Sequence, residues 1–218
     1  MPEDKLIISS RNYSSWSLRG WLLTRLAGLD VTVEQLSPDD EAAKQELLLK
    51  SSSILVPCLI HKGYEIWDSI AIAEYLNEEF PKAQMLPADH AARARCRSIS
   101  GEMHSGFSAL RSALPMNLRS VKKGFVVWSA AQADIDRVCK IWRDCIETWG
   151  GPFLFGKKMS IGDVMYAPVT TRFKTYDVKL DPVCLEYCKT ILALPDMKTW
   201  AKEALNEVEE VAELEVEF

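Results

Sequence analysis

The chain has 218 residues, a length that suits two small domains better than one. Hydrophobic residues make up 48% of it, enough to form a buried core, which excludes an intrinsically disordered chain. The formal net charge is −5 and the lysines and arginines are dispersed, so we expect no nucleic-acid partner. No window is apolar enough to cross a membrane, and the acidic start does not resemble a signal peptide. These features predict a cytoplasmic protein without a membrane partner.

The residues before position 80 alternate between strand and helix signals. Residues 5–9 form an apolar run of strand length, and residues 18–26 repeat apolar side chains every three or four positions, as an amphipathic helix does. Gly28 is typical of a helix C-terminus. Residues 31–36 alternate with period two, which predicts a second strand, and residues 40–49 predict a second helix.

Two further strands and a helix complete this unit. Residues 56–61 and 65–67 predict strands joined in a hairpin through Lys62 and Gly63, and residues 68–79 predict a helix. The order βαβ followed by ββα indicates one mixed sheet with helices on both sides.

The second half of the chain carries only helix signals. Residues 81–89 contain two prolines and predict a linker between a first domain at 1–80 and a helical domain at 90–218. The acidic tail at 207–218 can fray or dock, and we expect a solvated face in preference to docking. The predicted helices span residues 92–114, residues 135–149, a segment that begins at Ser160, residues 184–192 and residues 196–212.

The six cysteines are not arranged as a metal site or a redox pair. Cys184 and Cys188 lie one helical turn apart, but no third ligand is near them in sequence, and the chain has only three histidines. The sequence contains no C-x-x-C motif, which excludes a thioredoxin-type dithiol. We therefore expect reduced, buried cysteines and no metal.

Four short motifs lie in order along the predicted elements. They are the loop NYSSWSLR at residues 12–19, the turn Val56-Pro57-Cys58-Leu59, the pair Asp68-Ser69 followed by Ile72, Tyr75 and Leu76, and the stretch Phe153-Leu154-Phe155-Gly156 with Ser160 and Asp163 downstream. Together they resemble the glutathione S-transferase superfamily, in its bacterial-type members, over nearly the whole chain. The loop is nearest to the zeta class, the maleylacetoacetate isomerase-like class, whose pattern is Ser-Ser-Cys-Ser-Trp-Arg-Val-Arg.

The resemblance implies a fold, a co-substrate and an assembly. The fold is an α/β thioredoxin-like N-terminal domain, βαβ-ββα, followed by an all-α C-terminal domain. Glutathione is the implied co-substrate, a small electrophile is the second substrate, and the implied assembly is a homodimer.

Glutathione binding is assigned by the resemblance to Val56, Pro57, Asp68 and Ser69. In the family the proline is cis, and a cis bond before Pro57 would turn the Val56 backbone outward to pair with an extended peptide. The alternative is an ordinary proline at the start of a strand. Asp68 and Ser69 stand where a strand ends and a helix begins, so the amides there can hold a carboxylate. The alternative for Ser69 is a simple capping residue.

We expect the glutathione thiol to be activated in the loop before the first helix, because the thiolate is the nucleophile. Lowering a thiol pKa by about two units requires roughly 2.7 kcal/mol, which a helix N-terminus and one hydrogen-bond donor supply together. The catalytic candidates are Ser14, Tyr13 and Ser15, with Ser14 preferred. One alignment register places Asn12 at the zeta-class catalytic serine, and another places Tyr13 there. The alternative is that these residues only cap the helix and that backbone amides activate the thiol.

His104, Phe107 and Arg111 fall on one side of the predicted helix at 92–114, at spacings of three and four. The resemblance makes that helix a wall of the electrophile site. The alternatives are a packing histidine and a surface arginine in an ion pair. Ser160 and Asp163 indicate a structural capping box with no catalytic role.

Three functions remain open from the sequence. The first is a glutathione transferase acting on a small electrophile. The second is a zeta-like glutathione-dependent isomerase, which the loop favours, although the loop lacks the zeta-class cysteine. The third is a non-catalytic glutathione- or ligand-binding protein, which would bind glutathione without lowering its thiol pKa.

Overall fold

The computed structural model describes residues 4–36 and 56–207, and the helix predicted at 40–49 lies outside these ranges. The N-terminal half contains a four-stranded mixed sheet in the order β2-β1-β3-β4. β1 runs parallel to β2 and antiparallel to β3, and β3 is antiparallel to β4. The strands are β1 (Lys5–Ile8), β2 (Thr32–Gln35), β3 (Cys58–His61) and β4 (Tyr64–Trp67).

Two helices of this half have ends that the sequence predicts. Helix α1 (Ser15–Ala27) connects β1 to β2, and helix α2 (Ser69–Glu79) follows β4. The Ser14 side chain accepts a hydrogen bond from the Ser17 backbone N–H and so caps the start of α1. Gly28 ends α1 in a left-handed conformation with a φ of 73°, which favours glycine.

The rest of the described chain is helical, as the predicted all-α domain requires. A short 3₁₀ turn at Pro81–Ala83 begins the predicted linker. The predicted helices at 135–149, from Ser160 and at 184–192 are confirmed as α5, α6 and α7. In chain order the helices are α3 (His90–Ser105), α4 (Ser108–Ala113), α5 (Ser129–Trp149), α6 (Ile161–Thr175), α7 (Pro182–Ala193) and α8 (Pro195–Ala204).

The single helix predicted over residues 92–114 is wrong, because the chain divides there into α3 and α4. Gly106 is extended, and Phe107 has a left-handed φ of 59°, so the helical hydrogen-bond pattern stops. The break places the Phe107 ring in the core, 6.4 Å from the Tyr166 ring between centroids. Burying a phenylalanine contributes about 1.5–3 kcal/mol, which offsets the roughly 1–2 kcal/mol cost of a left-handed residue.

The prediction for the C-terminal segment also needs correction. The helix predicted at 196–212 ends at Ala204. Glu207 is not part of a solvated face, since its carboxylate accepts hydrogen bonds from the Ser10 hydroxyl at 2.7 Å and from the Asn12 backbone N–H at 2.9 Å. The remainder of the predicted acidic tail lies outside the described residues.

One hydrophobic core runs through both halves of the described chain. The two halves meet at α1, where the Trp21 and Trp200 rings lie 5.3 Å apart between centroids. All six cysteines are buried thiols, as predicted. Across residues 4–36 and 56–207, no helix has the length and apolar character needed to span a bilayer.

Candidate functional site

The predicted thiol-activating loop follows β1 and leads into α1. Tyr13 and Ser15 are each only 7% exposed, whereas Ser14 between them is partly exposed. The Ser14 hydroxyl accepts from the Ser17 N–H at 3.2 Å, and its own proton is left to donate. Of the three candidate hydroxyls, Ser14 is therefore the one that a ligand can best reach.

The two buried hydroxyls are held by arginines of the helical domain. Arg119 Nη2 donates to Tyr13 Oη at 3.0 Å, and its guanidinium lies 5.7 Å from the centre of the Tyr13 ring. Arg172 Nη2 donates to Ser15 Oγ at 3.2 Å. Helices and loops far away in sequence thus fix the residues on both sides of Ser14.

Asn12, which one register aligns with the zeta-class catalytic serine, fastens the loop to the helical domain. Its side chain is fully buried, and its amide donates to Asn117 Oδ1 at 3.1 Å. Its Oδ1 accepts from the backbone N–H groups of Leu118 at 2.8 Å and Arg119 at 3.1 Å. These bonds make Asn12 a residue that orients the loop.

The predicted peptide-binding edge lies at the start of β3. The Val56–Pro57 bond is cis, as the resemblance implies. The ladder between β1 and β3 ends where Ile7 faces Cys58, so Val56 lies beyond the paired part of the sheet. Its backbone is placed where a bound peptide can run along the sheet end.

Asp68 and Ser69 stand at the N-terminus of α2. Asp68 has a φ of 75°, and its Oδ1 accepts from the Ile70 N–H at 2.7 Å. Ser69 is 1% exposed, and its hydroxyl has no hydrogen-bond partner among the described residues. A buried hydroxyl in that state costs roughly 1–3 kcal/mol unless a water or a ligand completes it, and the Ser100 hydroxyl and the Trp142 indole N–H are in the same state. Ser69 differs from them in lying at a helix N-terminus.

The three residues predicted for the electrophile wall are not together on one helix. His104 and Arg111 both contact the Trp16 ring, at 5.3 Å between ring centroids and 5.0 Å from guanidinium to centroid. His104 Nε2 also lies 2.6 Å from Asp68 Oδ2, which links α3 to the start of α2. Phe107 is buried in the helical core instead.

Three arginines gather around Trp16 and the start of α1. The Arg19 guanidinium lies 4.5 Å from the Trp16 ring centroid and donates to the Met165 carbonyl at 2.8 Å. Burial, followed by the charges of Arg172 and Arg111, lowers the pKa of Arg19 well below its ordinary value. Burial and the Arg111 charge lower the pKa of Arg172 to about 10. Within the described ranges, none of the three forms an ion pair with a carboxylate.

Sequence reasoning did not select Trp16, Arg19 and Arg172 as site residues. The first two belong to the loop motif at 12–19, so their sequence position was a usable signal. For Arg172 the signal is a lone cation in the otherwise uncharged segment at 164–173. Only the fold brings it to the start of α1.

The sheet, the helical domain and the polar site at their junction define a protein of the glutathione-transferase class. The family model described as "Glutathione S-transferase, N-terminal domain" matches residues 13–79, and that described as "Glutathione S-transferase, C-terminal domain" matches residues 91–203. The chain belongs to the glutathione S-transferase family.

Curated relatives and solved structures agree with this family. A "Probable maleylacetoacetate isomerase" of Caenorhabditis elegans is 27% identical over 84% of this chain and 85% of its own length. The "Maleylacetoacetate isomerase" of Rattus norvegicus is 28% identical over 84% of both chains. A Burkholderia glutathione transferase homologue, solved with bound glutathione, has the same fold with a TM-score of 0.71 at 23% identity, and the match covers 94% of this chain and 100% of that one.

Proposed function

We propose that this protein is a glutathione S-transferase that activates the glutathione thiol as a thiolate for attack on a small electrophile. The observation that carries the proposal is the buried Ser69 hydroxyl at the N-terminus of α2, which has no partner in the described chain. A carboxylate bound there would meet this hydroxyl and the free amides of the first helical turn. Glutathione carries such a carboxylate on its γ-glutamyl residue.

The neighbouring groups suit the rest of the tripeptide. The backbone of Val56, ahead of Pro57, is positioned to pair with the main chain of an extended peptide. The Asp68 carboxylate can accept hydrogen bonds from the ammonium group of the γ-glutamyl residue. His104 holds that carboxylate from α3, so the helical domain helps to place it.

Ser14 is the proposed donor to the glutathione sulfur. A free thiol has a pKa of about 8.5, so only a few per cent of it is ionised at neutral pH. The N-terminus of α1 contributes about 0.3–1 kcal/mol to an anion there, and a hydrogen bond from Ser14 contributes about 1.5–3 kcal/mol. Tyr13 and Ser15 stay second proposals, because both hydroxyls are buried and bound to arginines.

The test is a pair of substitutions at Ser14 followed by ultraviolet difference titration of bound glutathione. Ser14→Gly removes the hydroxyl but keeps most of the preference for the N-cap position, so it tests hydrogen-bond donation to the sulfur without weakening the helix. Ser14→Ala removes both the hydroxyl and the N-cap preference. Both variants should raise the bound thiol pKa by about one to two units and, through the smaller thiolate fraction, slow the reaction at neutral pH about three- to twenty-five-fold. Most of the lost rate should return above about pH 9, where solvent removes the proton.

Tyr13→Phe is the matched control, since it removes a neighbouring hydroxyl and keeps the ring. It should leave the bound thiol pKa unchanged. If only this variant raises the pKa, Tyr13 is the donor. If the wild-type protein binds glutathione without lowering its thiol pKa, the protein is a non-catalytic binder and the proposed activity fails.

A zeta-like glutathione-dependent isomerase is the second candidate, because two of the similar proteins carry the name maleylacetoacetate isomerase. The two activities differ in what happens to glutathione. An isomerase regenerates it, so a small amount of glutathione turns over many equivalents of maleylacetoacetate; a conjugating enzyme consumes one glutathione per product. Measuring remaining glutathione against product therefore separates them.

Four further expectations accompany this function. The first is that Trp16 with His104 and Arg111 belongs to the electrophile side of the site, whereas Phe107 packs in the core behind it. The second is a homodimer, which sedimentation equilibrium checks at micromolar concentration. The third is a domain division at 1–80 and 90–218, with residues 81–89 as the linker. The fourth is a cytoplasmic location, which cell fractionation checks.

A further inference from the structure

Arg172 is a buried cation of α6 whose side chain ends at the start of α1. Its Nη2 donates to Ser15 Oγ at 3.2 Å, and its Nη1 donates to the carbonyl oxygens of Leu114 and, at 3.3 Å, Arg111. The residue is 6% exposed. The guanidinium thus contacts the first residue of α1, which directly follows the proposed thiol donor Ser14 in the sequence.

This charge has no compensating anion in the described chain. After burial itself, the charge of Arg111 from α4 lowers the pKa of Arg172, and the Tyr176 phenol raises it. The Arg172 charge in turn lowers the pKa of Arg19 from α1. The carboxylates nearby are bound elsewhere, Asp68 to His104 and Glu207 to the Asn12 backbone. Among the described residues the Arg172 guanidinium donates only to carbonyl and hydroxyl oxygens. Burying a cation without a counter-ion is costly, so such a group favours any anion that binds beside it.

A thiolate at the start of α1 is the anion that would compensate this charge. Because Ser15 Oγ accepts from Arg172, its own proton points away from the guanidinium. The bond therefore orients the Ser15 hydroxyl and places a positive charge behind it. The partial positive charge of the helix N-terminus and the positive charge of the guanidinium then both stabilise a thiolate bound there.

We infer that Arg172 is a positioning residue that favours the thiolate form of bound glutathione, acting through the Ser15 hydroxyl and through its own buried charge. The inference rests on the proposed function. It assigns to α6, in the helical domain, a part of the thiol activation that the N-terminal half alone does not supply.

The experiment compares Arg172→Met and Arg172→Lys in the full chain. Methionine removes the charge and keeps an unbranched side chain of similar length, while lysine keeps the charge. Arg172→Met should raise the bound thiol pKa by about one unit, which reduces the thiolate fraction at neutral pH about threefold if the wild-type protein lowers that pKa by about two units. Arg172→Lys should keep more than half of the amount by which the wild-type protein lowers the pKa of the bound thiol. Binding of S-methylglutathione, which has no ionisable thiol, should be the same in all three proteins.

Two further variants complete the test. Lys174→Met removes an exposed charge of the same helix two residues away and should leave the thiol pKa unchanged. Ser15→Ala deletes only the connecting hydroxyl and should raise the thiol pKa by about half a unit or more. This variant decides the question if Arg172→Met does not fold.

The outcomes separate this inference from the proposed function. If the wild-type protein lowers the thiol pKa but Arg172→Met and Ser15→Ala both leave it lowered, Arg172 only ties α6 to α4 and the inference is overturned. If lysine and methionine raise the pKa equally, the buried charge is not the cause, which also overturns it. If the wild-type protein does not lower the thiol pKa, the proposed function itself fails.

Discussion

The residues at the start of α2 divide their roles between the protein and its ligand. Asp68 uses one carboxylate oxygen to cap the helix and the other to contact His104. Ser69 makes no hydrogen bond with its hydroxyl in the described chain. Asp68 therefore supports the fold with both oxygens, while the Ser69 hydroxyl is left for the proposed ligand carboxylate.

This difference predicts that Ser69→Ala weakens glutathione binding without destabilising the free protein. Glutathione affinity should fall by about 1–3 kcal/mol, because the bound carboxylate loses a buried hydrogen bond. The unfolding free energy of the free protein should not decrease, since no bond within the protein is lost. Calorimetric binding and urea unfolding of the same variant provide the measurements.

Ser105→Ala is the matched control for this prediction. The Ser105 hydroxyl is exposed and bonds to the carbonyl of Gly101 in its own helix. Its removal should change neither the free energy of glutathione binding nor the free energy of unfolding by more than about 0.5 kcal/mol. Unchanged glutathione affinity in Ser69→Ala would falsify the carboxylate assignment.

At the scale of elements, the approach of α1 to the sheet depends on Gly20. An added Cβ at Gly20 would lie 2.4 Å from Pro57 Cβ and 2.7 Å from Pro57 Cγ. These atoms belong to a ring that is tied to the backbone, so neither can move away alone. Helix α1, which begins at Ser15, therefore packs directly against Pro57, the proline of the proposed peptide-binding edge.

Gly20→Ala should destabilise the protein even though alanine is the better helix former. Alanine in place of glycine gains about 0.5–1 kcal/mol in an open helix, whereas overpacking a close contact costs about 1–3 kcal/mol. The expected net loss is about 1 kcal/mol, with weaker glutathione binding because Pro57 shifts. Gly101→Ala in α3 is the control; nothing lies within 4 Å of its added Cβ, so it should stabilise the protein by about 0.5–1 kcal/mol. Equal effects of the two substitutions would contradict the close contact.

For the whole molecule, the two halves are joined by buried contacts of several kinds. The hydrophobic core is continuous, Arg19 of α1 donates to the Met165 carbonyl of α6, and Asn12 bonds to Asn117. Domains joined only by a linker move and unfold separately, whereas a shared core couples them.

We expect one cooperative unfolding transition at a given protein concentration. Far-ultraviolet circular dichroism follows the helices, and tryptophan fluorescence follows the seven tryptophans, which lie in both halves and include the Trp21–Trp200 pair between them. The two signals should give the same denaturant midpoint. Separate midpoints would mean that the helical half folds without the sheet.

Among the described residues, the sequence by itself determined the strands, the helices other than the break between α3 and α4, and the helix ends set by capping residues or glycine, because local signals encode them. The hairpin at Lys62 and Gly63 has φ values of 53° and 83°, as its turn residues predict. The capping box of Ser160 and Asp163 is present at the start of α6, where the buried carboxylate also accepts from Leu154. Such features depend on residues a few positions apart, so periodicity and capping rules suffice.

Only the tertiary structure decided which groups meet at the site. The break at Gly106 and Phe107 depends on burial of the Phe107 ring against a helix that is distant in the sequence. The helical periodicity of residues 92–114 does not indicate this break. Arg172 reaches Ser15 across 157 positions of the chain, and Glu207 reaches Ser10 across 197. Contacts at that separation depend on how packed helices lie against the sheet. The physical reason is that a buried charge or hydroxyl takes whatever partner the completed fold places beside it, and a single sequence does not specify that partner locally.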